Sequence, residues 1–149
     1  MQQDHGFFRE SPLFGGLDET AISRLVEVAK IREFSAGEFI VEEGTDGDSV
    51  FLLYDGSVSI STTANSGDEI RLKTLSDRGA FFGEVGLVDP GPRSATVKSE
   101  TTAVLLELSL AGLEEFFRDV ADSERLVMRN VARVLAQRIR NSNELLASR

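Results

Sequence analysis

The sequence contains no cysteine and no tryptophan, and its one histidine is His5. The lack of cysteine excludes disulfide frameworks, Cys-based zinc sites and thiol nucleophiles. A lone histidine near the terminus also excludes metal centres built from several imidazoles and triads that need a histidine base. No run approaches the roughly 18 apolar residues of a membrane-spanning helix. Met1–Arg9 carries Asp4 and no apolar stretch of signal-peptide length, so it does not read as a secretory leader. Together these absences predict a cytoplasmic protein with no membrane span, no metal and no cofactor. No nucleophile with a base can be assembled, which points to binding rather than catalysis.

What is present fits one globular domain: 149 residues, 41% hydrophobic and 28% charged. Charge is unevenly placed. Residues 1–122 hold 10 basic and 23 acidic side chains, whereas residues 123–149 hold 6 basic and 2 acidic. An acidic body repels a phosphate backbone, so direct nucleic-acid binding is not expected. The basic tail reads as a solvated arginine face or as a docking surface for an acidic partner.

Periodicity divides the chain, 1–149, into N-terminal helices over 10–30, a strand-rich barrel over 31–109 and C-terminal helices over 110–147. Asp18 precedes Ile22, Leu25, Val26 and Ala29, which form one stripe of an amphipathic helix with an N-cap. From about residue 31, short apolar or β-branched runs are separated by glycine turns. Asp55-Gly56 has the composition of a two-residue hairpin turn, and Asn65-Ser66-Gly67-Asp68 marks the next one. About eight such strands predict a mainly β fold, an antiparallel jelly-roll barrel with flanking helices. Beyond it, Leu113, Phe116 and Phe117 suit a short helix, and Ser123 reads as the N-cap of a long helix to about Ala147. Along that helix Leu126, Val127, Val131 and Val134 face the body. Met128, Ala132, Leu135, Ile139, Ser142 and Leu146 alternate by four and three, a heptad seam suited to a homodimer. A monomer with a partly exposed helix is the other reading.

Residues 79–97 break the strand pattern. Glu84–Val88 can form a helical turn opened by Gly83 and closed by Asp89-Pro90-Gly91-Pro92. Gly83 allows close backbone approach, and the first amides of a helical turn carry partial positive charge suited to an anion. Nine residues after Glu84, Arg93 offers a planar two-pronged donor, and Ser94 and Ala95 add amides. A carboxylate at position 84 would repel a phosphate unless it faced a neutral hydroxyl such as that of a ribose. Phosphate, ribose and apolar walls together describe a nucleotide.

Phe82-Gly83-Glu84-x-x-Leu87 followed by Arg93-Ser94-Ala95-Thr96-Val97 resembles the phosphate-binding cassette of cyclic-nucleotide-binding domains. That family includes the bacterial catabolite activator protein, the regulatory subunit of the cAMP-dependent kinase and cyclic-nucleotide-gated channels. Gly37-Glu38-x-Ile40, Glu43-Gly44 and Leu53-x-x-Gly56-x-Val58 extend the likeness over about residues 10–146. The resemblance implies a double-stranded β-helix barrel. It implies backbone contacts from Gly83 and Ala95 to the cyclic phosphate, with Arg93 on its exocyclic oxygens. Glu84 would accept the ribose 2′-hydroxyl and Ser94 would touch phosphate or base. Ile60, Leu72 and Phe82 would wall base and sugar. Ser142 and Asn143, or else Arg138 and Arg140, would reach the base from the long helix, although Ser142 also fits as a register-setting residue of the seam.

The implied function is a non-catalytic cyclic-nucleotide receptor, regulatory in signal transduction and of bacterial type, with cyclic AMP as first choice and cyclic GMP open. The long helix would act as a lid. The family's DNA readers carry a helix-turn-helix after this helix, and here the sequence ends at Arg149. The output would therefore be an effector protein acted on in trans, or an effector domain of a longer chain. Two other readings are an interaction scaffold of the same fold that binds no nucleotide, and a cupin-type metalloenzyme, which the lone His5 disfavours.

Overall fold

The computed structural model describes residues 5–148, so Met1–Asp4 of the leader reading and Arg149 lie outside the described residues. The chain opens with α1 (His5–Glu10), a 3-10 turn (Pro12–Phe14) and α2 (Glu19–Val28). In α1, which has too few turns to show a period, the Phe7 ring lies 5.5 Å from that of Phe8, and Phe8 packs on Phe14 at 6.0 Å. Asp18 caps α2 as expected, its side chain accepting from the Ala21 amide at 2.9 Å.

Eight strands follow: β1 (Lys30–Phe34), β2 (Phe39–Val41), β3 (Ser49–Asp55), β4 (Val58–Thr63), β5 (Glu69–Leu75), β6 (Phe81–Phe82), β7 (Thr96–Ser99) and β8 (Ala103–Ser109). They form two antiparallel four-stranded sheets, ordered β1-β8-β3-β6 and β2-β7-β4-β5. Inside the first sheet β3 is buried on both faces, which explains its unbroken apolar run. Val50 and Leu52 join Leu106 and Leu108 in a core under the helices. Phe51 and Leu53 turn the other way, into the core with Val58, Val97 and Leu105. The second sheet covers that core on one face only, and most of β5 is exposed.

The expected mainly β barrel is not what forms. Helical residues outnumber strand residues, making this a mixed α/β fold, and the sheets do not close. Among the described residues no ladder joins one sheet to the other, and the edge strands β6 and β2 have only two and three residues. Asp55-Gly56 is likewise not a hairpin, because β3 and β4 lie in different sheets. Only Gly56 takes positive φ, and a Cβ there would lie 2.4 Å from the Thr102 carbonyl oxygen. The Asn65–Asp68 turn does join a hairpin, β4 to β5.

After β7 and β8, α4 (Leu110–Asp119) buries Leu113 and Phe116, and α5 (Ser123–Ala147) closes the described chain. Ser123 is not the N-cap of α5. Asp122 takes that position at φ 67°, and the Ser123 hydroxyl donates back to the Val120 carbonyl at 2.7 Å. Val127 and Val131 are fully buried, with Leu126 and Val134 packed beside them.

Candidate functional site

The site grows from the end of β6. Phe82 stacks on Phe51 with centroids 5.2 Å apart, and the chain then reverses at Gly83, φ 88°. This conformation leads into the single turn α3 (Val85–Val88), closed by bonds from the Gly86 and Leu87 amides to the carbonyls of Gly83 and Glu84. The amides at the head of that turn have no earlier helical carbonyl to reach.

Arg93 arrives from the opposite loop. Its amide donates to the Thr45 carbonyl at 2.7 Å and its carbonyl accepts from Gly44 at 2.9 Å. The side chain is wedged between two glycines. A Cβ on Gly83 would lie 2.7 Å from Arg93 Nη1 and 2.7 Å from the Ser49 oxygen; one on Gly47 would lie 2.7 Å from Arg93 Nε. Arg93 Nη2 donates to the Ser49 carbonyl at 2.9 Å, leaving other N–H groups of the fork for a ligand. Burial pushes the pKa of Arg93 below its ordinary value, while Asp48 and Glu107 act in the opposite sense. A guanidinium starts from so high a value that it stays charged at neutral pH.

Glu84 is 3% exposed, and its partner is Arg138 of α5, which donates to its carboxylate. The Arg138 guanidinium also lies 5.8 Å from the Phe81 ring centre. One ion pair therefore ties the long helix to the loop between β6 and α3. Lys73 completes the charged set: burial lowers its pKa first, the like charge of Arg138 adds to this, and Glu84 opposes it.

These groups share one cavity of about 530 Å³. Of the residues singled out in the sequence, Gly83, Glu84, Arg93, Ser94 and Ala95 line it, with Ile60, Leu72 and Phe82 as walls and Arg138 at the helix side. Ser142, Asn143 and Arg140 do not line it; all three are exposed, and Arg140 bonds to Gln137 at 2.9 Å. Gly47 and Lys73 were not singled out. Gly47 was legible only as a turn residue. Lys73 follows Leu72 on a strand, where strict alternation would send one of them away from the cavity. The pairing shifts from Ile60–Lys73 to Ser61–Arg71, so Leu72 is an extra residue of β5 and both side chains reach the cavity. Among the described residues, no cluster of three or more His, Asp or Glu could hold a metal ion.

Residues 31–120 match the cyclic nucleotide-binding domain family. A CRP-like cAMP-activated global transcriptional regulator of Mycobacterium tuberculosis is 31% identical over 136 residues, 91% of this chain and 58% of that protein. A cGMP-dependent protein kinase, isozyme 1, of Drosophila melanogaster is 34% identical over 99 residues, 65% of this chain and 13% of that protein. The chain thus spans less than two thirds of these relatives. Among solved structures, the N-terminal domain of a transcriptional regulator from Streptomyces coelicolor A3(2) superposes with TM-score 0.78 at 29% identity, covering 95% of this chain and 96% of that one. The Thermus thermophilus catabolite activator protein gives TM-score 0.78 at 31% identity over 92% of this chain and 62% of its own.

Proposed function

Because the chain belongs to the cyclic nucleotide-binding domain family, and so is a receptor or regulatory module, we propose that its 530 Å³ cavity receives a 3′,5′-cyclic purine nucleotide and that α5 passes occupancy on to an effector. The observation that carries this reading is the meeting, in one cavity, of the Arg93 fork with a buried Glu84 held from α5 by Arg138. The phosphate sits on Arg93, Gly83 and the Ser94 and Ala95 side of the loop. The ribose hydroxyl donates to Glu84, and Ile60, Leu72 and Phe82 enclose sugar and base.

A hydroxyl that bonds Glu84 changes what Arg138 is bonded to, and so the setting of α5. A ligand acts as a switch only through unequal affinity for two states, and a tenfold preference is worth about 1.4 kcal/mol. Cyclic AMP is the first ligand, supported by Ser94 after Arg93 and by the likeness of 91% of the chain to a cAMP-activated regulator. Cyclic GMP presents the same phosphate and ribose and is the second. The effector is a protein or a domain of a longer chain, and the receptor works in the cytoplasm; among the described residues no helix is long and apolar enough to cross a membrane.

Glu84→Gln tests the ribose assignment. The variant is expected to lose most of its discrimination between cyclic AMP and its 2′-deoxy analogue in titration calorimetry; a ratio equal to that of the parent places the hydroxyl elsewhere. The heptad seam of α5 supplies the partner for a homodimer, with Ile139 62% and Leu146 61% exposed. Ile139→Asp should convert the dimer to monomer in light scattering, and a mass that stays at two chains excludes this seam as the interface.

A further inference from the structure

A second cavity, of about 680 Å³, lies between the 3-10 turn and the middle of α5 and adjoins the nucleotide site at Arg138, which lines both. Its turn side is Pro12, Gly15 and Gly16, and its helix side includes Arg129, Arg133 and Val134. The walls are fixed to each other. Asn130, 6% exposed, donates to the Leu13 carbonyl at 3.1 Å and to the Gly15 carbonyl at 2.9 Å. Its volume falls in the range of about 300–1,000 Å³ usual for small-molecule sites.

The charge on this cavity is unbalanced. Arg125 and Arg138 of the same helix are committed, to Asp122 and to Glu84. Among the described residues, Arg129 and Arg133 form no ion pair and no side-chain hydrogen bond; Arg129 feels Asp122 only through space. The two stand four residues apart, the spacing at which like charges on a helix repel. An anion between them relieves that repulsion and accepts from both forks. Pro12, Val134 and the flat faces of the guanidiniums favour an apolar, planar body behind the anionic head.

We propose that this cavity is a binding site for a small amphipathic anion, a phosphate or carboxylate on an aromatic or similarly apolar body, held by Arg129 and Arg133. The site shares Arg138 with the nucleotide cavity, but Arg129 and Arg133 do not line that cavity, and occupation of the site does not depend on the nucleotide reading.

The probe is phenyl phosphate, titrated into the arginine ¹⁵N-labelled full chain while the Nε–Hε resonances of Arg129 and Arg133 are followed; Arg93 reports binding at the other cavity independently. Saturable shifts of Arg129 and Arg133 are expected. Inorganic phosphate at matched ionic strength should bind at least tenfold more weakly, and phenol should leave both resonances unmoved. Arg129→Gln and Arg133→Gln, each at an exposed helix position, should each weaken the phenyl phosphate titration about fivefold or more, read on the remaining arginine. Non-saturating shifts, equal affinity for inorganic phosphate (an adventitious ion only), or unchanged titrations in both variants would overturn the proposal.

Discussion

Arg93→Ala is expected to weaken cyclic-nucleotide binding by about 2–5 kcal/mol, the range for removing one partner of a desolvated charge pair. That is roughly thirtyfold to several thousandfold in Kd. The size follows from the position of the fork. The guanidinium is half-buried, wedged between Gly47 and Gly83 and anchored through Nη2 to the Ser49 carbonyl. On the proposed reading its remaining donors would meet the phosphate already oriented, with little rotamer freedom left to lose. Arg93→Lys separates charge from geometry, because an ammonium keeps the charge but not the two-pronged fork. It should recover only part of the loss. Calorimetric affinities for the two variants that match the parent would remove Arg93 from the phosphate site.

Gly83→Ala should damage both the fold and the site. An L-residue at φ 88° is strained whatever the space around it, by about 1–2 kcal/mol. Here the added Cβ would also lie 2.7 Å from Arg93 Nη1 and 2.7 Å from the Ser49 oxygen, so a backbone atom and the binding fork must both shift. Gly37→Ala is the matched control, since Gly37 has φ 85° but no atom within 4 Å of its would-be Cβ. Denaturant unfolding should show Gly37→Ala losing the backbone strain alone. Gly83→Ala should lose about 1–3 kcal/mol more and bind cyclic nucleotide at least tenfold more weakly. Equal losses for the two variants would mean that the close approach at Gly83 carries no weight.

The lining of the candidate cavity was easier to read from the sequence than the architecture. Gly83, Glu84 and Arg93 were legible because a glycine that admits close approach, a carboxylate and a two-pronged donor within eleven residues serve few purposes together. The amphipathic stripes of α2 and α5 were legible for the same local reason. Sheet closure was not. Whether eight strands zip into a barrel depends on pairing between distant edges, and Asp55-Gly56 looks the same whether it folds back into one sheet or crosses to another. Lys73 was hidden by the β5 bulge, which reverses the alternation on which a strand is read. The partner of Glu84 was hidden too, since 54 residues separate it from Arg138 and nothing local marks one arginine of α5 over its neighbours. Ser142 and Asn143 point to a different limit. Which position of a helix reaches a cavity is set by how the helix packs on the body, and here Arg138 lines the cavity while the two polar residues stay in solvent.

Receptor function turns on whether the cavity lined by Gly83, Glu84 and Arg93 takes up a cyclic nucleotide at all. Titration calorimetry of the intact chain with cyclic AMP and cyclic GMP answers that directly. A saturable isotherm of one ligand per chain for at least one of them, lost or strongly weakened in Arg93→Ala, is the predicted result. Absence of heat from both ligands at millimolar concentration, with no change in melting temperature, would contradict it and leave a scaffold of the same fold.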